Sequence, residues 1–106
     1  MKQTDLQNFL SNPASLPRST TLLLEDGLRV LLLHLKPGEQ IPEHQTRGAI
    51  SVHCLQGEAT FQSGEERVEL KQHTLITLAA NAPHSVSSRS EALLLVTMST
   101  LAAPTQ

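Results

Sequence analysis

The chain has 106 residues, 39% of them apolar and 17% charged, with a net charge of −2; this is globular composition for a single core, not the charge-rich mix of a disordered segment. The eight Lys and Arg are scattered from Lys2 to Arg89, which argues against counterion-release binding to nucleic acid, and no apolar run is long enough for a membrane-spanning helix. Phe9 and Phe61 are the only aromatic residues and Cys54 the only cysteine, so stacking platforms and internal disulfides are excluded.

The N-terminus, MKQTDLQNFL, lacks the apolar stretch and cleavage site of a signal peptide, so a cytoplasmic location is expected. Leu6, Phe9 and Leu10 fall at helical spacing, with Thr4 placed to cap a short turn of helix that residues 12–17 then break. Residues 1–18 therefore read as an extension, 19–101 as a β domain and 102–106 as a frayed tail. TTLLLE and LRVLLLHL flank Asp26-Gly27, the sign of a hairpin. A turn at Pro37-Gly38 leads into EQIPEH, where Pro42 disfavours a helix. AISVHCL ends at Gln56-Gly57. EATFQ and ERVEL alternate apolar with polar residues around Ser63-Gly64, and the Glu65-Glu66 pair reads as an exposed hairpin tip. TLITLA, HSVSS and EALLLVTM complete about eight strands, the pattern of a sandwich or barrel.

Two runs are apolar on both faces. In LRVLLLHL, Leu28, Val30 and Leu32 share one side and Leu31, Leu33 and Leu35 the other; EALLLVTM behaves likewise. One set fills a barrel and the other needs cover, which predicts a homodimer joined through outer sheet faces, with the segment around Leu6 and Phe9 as the alternative cover.

The stretch KPGEQIPEHQTRGAISVHCLQGEATF, with Pro37-Gly38, His44 and Gly57, resembles the first motif of the cupin family. LKQHTLITLAANAPHSVSS, with Pro83-His84-Ser85-Val86, resembles the second. The chain resembles short bacterial cupins with an incomplete metal motif. The resemblance implies an all-β fold, a double-stranded β-helix or jelly-roll barrel preceded by the short helical segment, with His44 and His84 in its central pocket. The family's metal site uses two histidines and a Glu from motif one and a histidine from motif two. Here the second histidine position holds Thr46 and the Glu position Ile50. In motif two the usual Gly-Asp turn reads His73-Thr74, and Leu78 and Ala80 replace a Pro and a Gly.

His44, His84, Thr46, Ile50 and Cys54 are the candidate pocket residues, with His44 and His84 the candidate ligands of a weakly held divalent metal such as zinc, nickel, iron or manganese. Catalytic zinc needs about three protein ligands and oxygenase iron two His and a carboxylate, so this pair is one short. Glu43 adjoins His44 and should face away unless the strand bulges. Cys54 shares the parity of Ile50 and reads as a buried thiol facing inward; His53 has the opposite parity and belongs on the outer face or at a subunit contact. His34 lies in an apolar run as a hydrogen-bonded, partly buried residue, and His73 in a solvated turn. No Gly-x-Ser-x-Gly elbow or glycine-rich phosphate loop occurs. The leading expectation is a small-ligand-binding protein. The alternatives are a metal-dependent oxygenase or isomerase and a non-catalytic dimerisation or interaction module.

Overall fold

A computed structural model describes residues 1–101; the expected tail at 102–106 lies outside them. Each apolar run of the sequence becomes a strand: β1 (Ser19–Glu25), β2 (Leu28–Leu35), β3 (Gln40–His44), β4 (Ile50–Gln56), β5 (Ala59–Ser63), β6 (Glu66–Leu70), β7 (Leu75–Leu78), β8 (His84–Ser88) and β9 (Ala92–Ser99). They form two antiparallel sheets, ordered β1-β2-β9-β4-β7 and β3-β8-β5-β6. This is the jelly-roll arrangement, in which side chains of period two place one face of each sheet against the other.

β2 shows how parity becomes packing. Leu31 and Leu35 join the core between the sheets with Val52, Phe61, Leu70 and Leu94, and Leu33 packs against it. Leu35 and Leu94 are fully buried, each contributing roughly 1.5–3 kcal/mol of hydrophobic stabilisation. On the opposite face Leu32 and Leu93 are also buried, at 1% and 0% exposure, although they lie outside the central cluster. Cover comes from within the chain. His34, on the same face as Leu32, holds the carbonyl oxygen of Leu16 through Nδ1 at 3.0 Å and the carboxylate of Glu91 through Nε2 at 2.9 Å. This ties the N-terminal extension over β2, and the Lys2 ammonium adds a bond to Leu24 O. Leu6, Phe9, Leu10 and Leu16 are each half-buried. Leu24, Leu28 and Leu75 remain exposed.

The extension contains a four-residue helix, α1 (Gln7–Leu10), and a single 3-10 turn at Pro13–Ser15. Thr4 does not cap the helix. Asp5 Oδ1 instead accepts from the Gln7 N–H at 3.0 Å, because the first turn opens at Leu6, leaving Thr4 too far upstream.

Gly57, at φ +80°, is required by space as well as by conformation: a Cβ there would lie 2.0 Å from Glu91 O. The turn after β6 takes the same left-handed conformation at His73 (φ 73°), where a side chain adds strain that glycine would not.

Candidate functional site

β3 and β8 carry the two histidines, and a bulge decides their meeting. Ile41 pairs with Val86 and His44 with His84, so three steps along β3 are matched by two along β8. A regular strand would send Ile41 and His44 to opposite faces; the extra residue turns both inward. Both line the same cavity, while Glu43 stays exposed. His44 and His84 stand with ring centroids 4.2 Å apart at 64°. Phe61, from β5, stacks on His84 at 5.4 Å and 15°.

Each imidazole is oriented by its own strand. His44 Nδ1 lies 3.0 Å from Pro42 O and His84 Nδ1 3.0 Å from Ala82 O. A carbonyl oxygen only accepts, so Nδ1 carries the proton and, in the neutral ring, Nε2 is left as an acceptor. Burial holds His84 below the usual imidazole range; the Ala82 carbonyl opposes this and the neighbouring His44 adds to it. His84 is 4% exposed, whereas His44 sits at the open rim.

The cavity has a volume of about 320 Å³, within the range of small-ligand sites. Leu31, Leu33, Ile41, Ile50, Val52 and Val86 supply apolar wall, and Thr46, Arg18 and Arg29 supply polar groups alongside the histidines. Thr46 donates its hydroxyl to Gly48 O at 3.1 Å, and its carbonyl accepts from the Asn81 N–H at 2.8 Å. These bonds tie the loop after β3 to the loop before His84. Arg18 pairs with Glu39 at 2.5 Å, and Glu39 is held below the usual carboxylate range, first by the Lys36 N–H and then by Arg18.

Four of the five expected pocket residues, His44, His84, Thr46 and Ile50, line this cavity; Cys54 does not. Its parity is inward as expected, but it lies at the far end of β4, sealed in the core at 0% exposure. Its thiol donates towards Gln56 O and Gly57 O at 3.5 and 3.4 Å. Burial pushes that thiol up, so it is neither a thiolate ligand nor a ready nucleophile. His34 is a structural clamp, and His53 is half-buried on the outer face with its ring 6.1 Å from that of His73. Arg18 and Arg29 were absent from the sequence-based candidates. Arg29 had a legible signal: it is the one charged residue with the parity of Leu31, Leu33 and Leu35.

The donor set does not fit a resident metal. Two imidazoles meet with ring centroids 4.2 Å apart, and no group of three or more His, Cys, Asp or Glu occurs among the described residues. Thr46 and Ile50 stand where further ligands would be required, and neither a neutral hydroxyl nor an alkyl group replaces an imidazole or carboxylate.

The sequence profile of the cupin domain matches residues 31–99. Among solved structures, the protein TT1209 from Thermus thermophilus is 30% identical, over 93% of this chain and 97% of that one, with a TM-score of 0.76. A cupin superfamily protein from Desulfitobacterium hafniense is 21% identical over 76% of this chain and 74% of its own, with a TM-score of 0.73. KdgF from a Halomonas species is 13% identical over 78% and 79%, with a TM-score of 0.74; at these last two identities the likeness is one of fold. No curated protein matches the chain.

Proposed function

The chain belongs to the cupin domain family, and on that premise we propose that it binds a small molecule in its barrel, with His44 and His84 as the polar handle. The observation that carries this reading is the pair of imidazoles at 4.2 Å, each with Nδ1 committed to a backbone carbonyl, beside an apolar cavity of about 320 Å³. Two oriented acceptors, His84 buried and His44 at the rim, select a ligand that donates from a hydroxyl or amide, and the aliphatic wall holds its apolar part. A divalent metal offered to the protein meets two ligands only and is held weakly. The metal-dependent oxygenase and isomerase alternatives find no third His, Cys, Asp or Glu ligand beside this pair among the described residues.

Thermal shift against a panel of small apolar acids, alcohols and amides tests the binding role, since a ligand that binds only the folded state raises its stability by mass action. Stabilisation by at least one class, lost in His84→Ala, is the expected result. A flat response across the panel would refute it. Elemental analysis of untagged protein dialysed against a chelator should find well under one equivalent of transition metal. A full equivalent of zinc, nickel, iron or manganese would reinstate the enzyme reading.

A further inference from the structure

The cavity wall carries two arginines and no Asp or Glu, and the two arginines are not equivalent. Arg18 already has a carboxylate partner in Glu39. Arg29 has none among the described residues: its Nε and Nη2 both reach the Thr21 hydroxyl, at 3.3 and 3.0 Å, a neutral acceptor that leaves the charge uncompensated. The side chain is half-buried and projects from β2 with the parity of the inward leucines. A guanidinium held between an aliphatic wall and the opening offers its remaining donors as a planar fork that matches one carboxylate.

Resting on the binding role proposed above, we infer that the ligand is an aliphatic monocarboxylic acid whose carboxylate is held by Arg29 while its chain fills the space between Leu33, Ile50 and Val86. At the volume of roughly 30 Å³ that a water molecule occupies in liquid, the cavity of about 320 Å³ takes a ligand of roughly ten non-hydrogen atoms. A second ionised group on the ligand would sit against apolar wall or beside His84 and would remain desolvated and unpaired. A phosphate ester fits poorly, because a dianion needs more than one uncommitted guanidinium or a cradle of backbone N–H groups.

Octanoate and octanamide each have about ten non-hydrogen atoms and match this size; they differ in charge and in the N–H donors that only the amide offers to the imidazole acceptors, so a preference for octanoate runs against that donation and reports the charge. Calorimetric titration of the full chain with both, at pH 8, above the ordinary imidazole range, separates charge recognition from apolar burial. Octanoate should bind on the order of tenfold more tightly than octanamide, as expected for a charge-assisted hydrogen bond. Arg29→Gln should remove the preference, bringing octanoate down to the amide's level. Circular dichroism establishes that the variant is folded. Should Arg29→Gln not fold, Arg29→Lys and the wild type's own salt dependence serve instead: octanoate affinity should fall with ionic strength and octanamide affinity should not. Equal affinity for the two probes overturns the carboxylate assignment and leaves the small-ligand role standing. A preference for octanoate that survives in Arg29→Gln removes Arg29 as its anchor. Binding of neither probe overturns this assignment, and the small-ligand role itself falls only if the wider panel is also flat.

Discussion

Replacing His34 by Ala should destabilise the fold by about 3 kcal/mol, whereas the same change at His44 should leave stability within about 1 kcal/mol of wild type. His34 is 2% exposed and bonded at both ring nitrogens, to Leu16 O at 3.0 Å and Glu91 Oε2 at 2.9 Å. The first bond contributes about 1 kcal/mol net. The second is discounted because the Glu91 side chain is 41% exposed and water can replace its partner, leaving at most about 1 kcal/mol. The emptied ring volume beside buried Leu32 and Leu93 adds roughly 1–2 kcal/mol, because the surroundings only partly collapse. For a chain of this size the sum lowers Tm by roughly 12–20 °C. With no Trp or Tyr present, urea unfolding is best followed by far-ultraviolet circular dichroism, and the midpoint should fall at unchanged m. His44 is exposed and makes one bond, to Pro42 O. A loss below about 1 kcal/mol at His34, or an equal loss at both positions, would refute the assignment of one histidine to architecture and the other to the cavity.

The remaining expectations concern pH, backbone and assembly. Because burial lowers the His84 pKa from its ordinary value of 6.5, the unfolded chain binds the extra proton first; this stability is present above pH 6.5 and is lost as pH falls through the folded value. Urea titrations at stepped pH should show that acid-side slope in the wild type and a shallower one in His84→Gln; identical slopes would contradict it. Gly57→Ala should destabilise by more than about 3 kcal/mol or prevent folding, since its Cβ meets Glu91 O at 2.0 Å in a left-handed backbone. His73→Gly, at φ 73° in an exposed turn, should change stability by less than about 1 kcal/mol, because relief of left-handed strain is offset by the freer unfolded chain. Light scattering at low micromolar concentration should give a mass near twice the 11.5 kDa of the chain, with exposed Leu28 and Leu75 on the outer sheet face; a mass near 11.5 kDa would show that the N-terminal extension is cover enough.

Much of this molecule is local and therefore legible. Period-two alternation in runs such as ERVEL, and turn residues such as Asp26-Gly27 and Gln56-Gly57, mark strands and their ends because adjacent side chains of an extended backbone must face opposite ways. The two motif segments carry His44 and His84 with their turns, so the cupin barrel and both cavity histidines could be read without coordinates. Parity also separates Leu31, Leu33 and Leu35 from Leu32, and it places Arg29 on the inner face with them.

What remained was non-local. His34 acquires its role from partners 18 and 57 positions away, distances at which no periodic pattern speaks. Cys54 has the inward parity of Ile50, yet parity gives a side and not a depth, and only the pairing of β9 beside β4 and the burial of both sheets' inner faces in one core put the thiol at the sealed end of the barrel. The bulge in β3 is the sharpest instance. Counting along QIPEH sends Ile41 and His44 to opposite faces, and what turns them to the same side is the register with β8, two residues answering three. A chain determines which of its residues alternate; where a strand takes up an extra residue is settled by the neighbour it must pair with and the core both must fill.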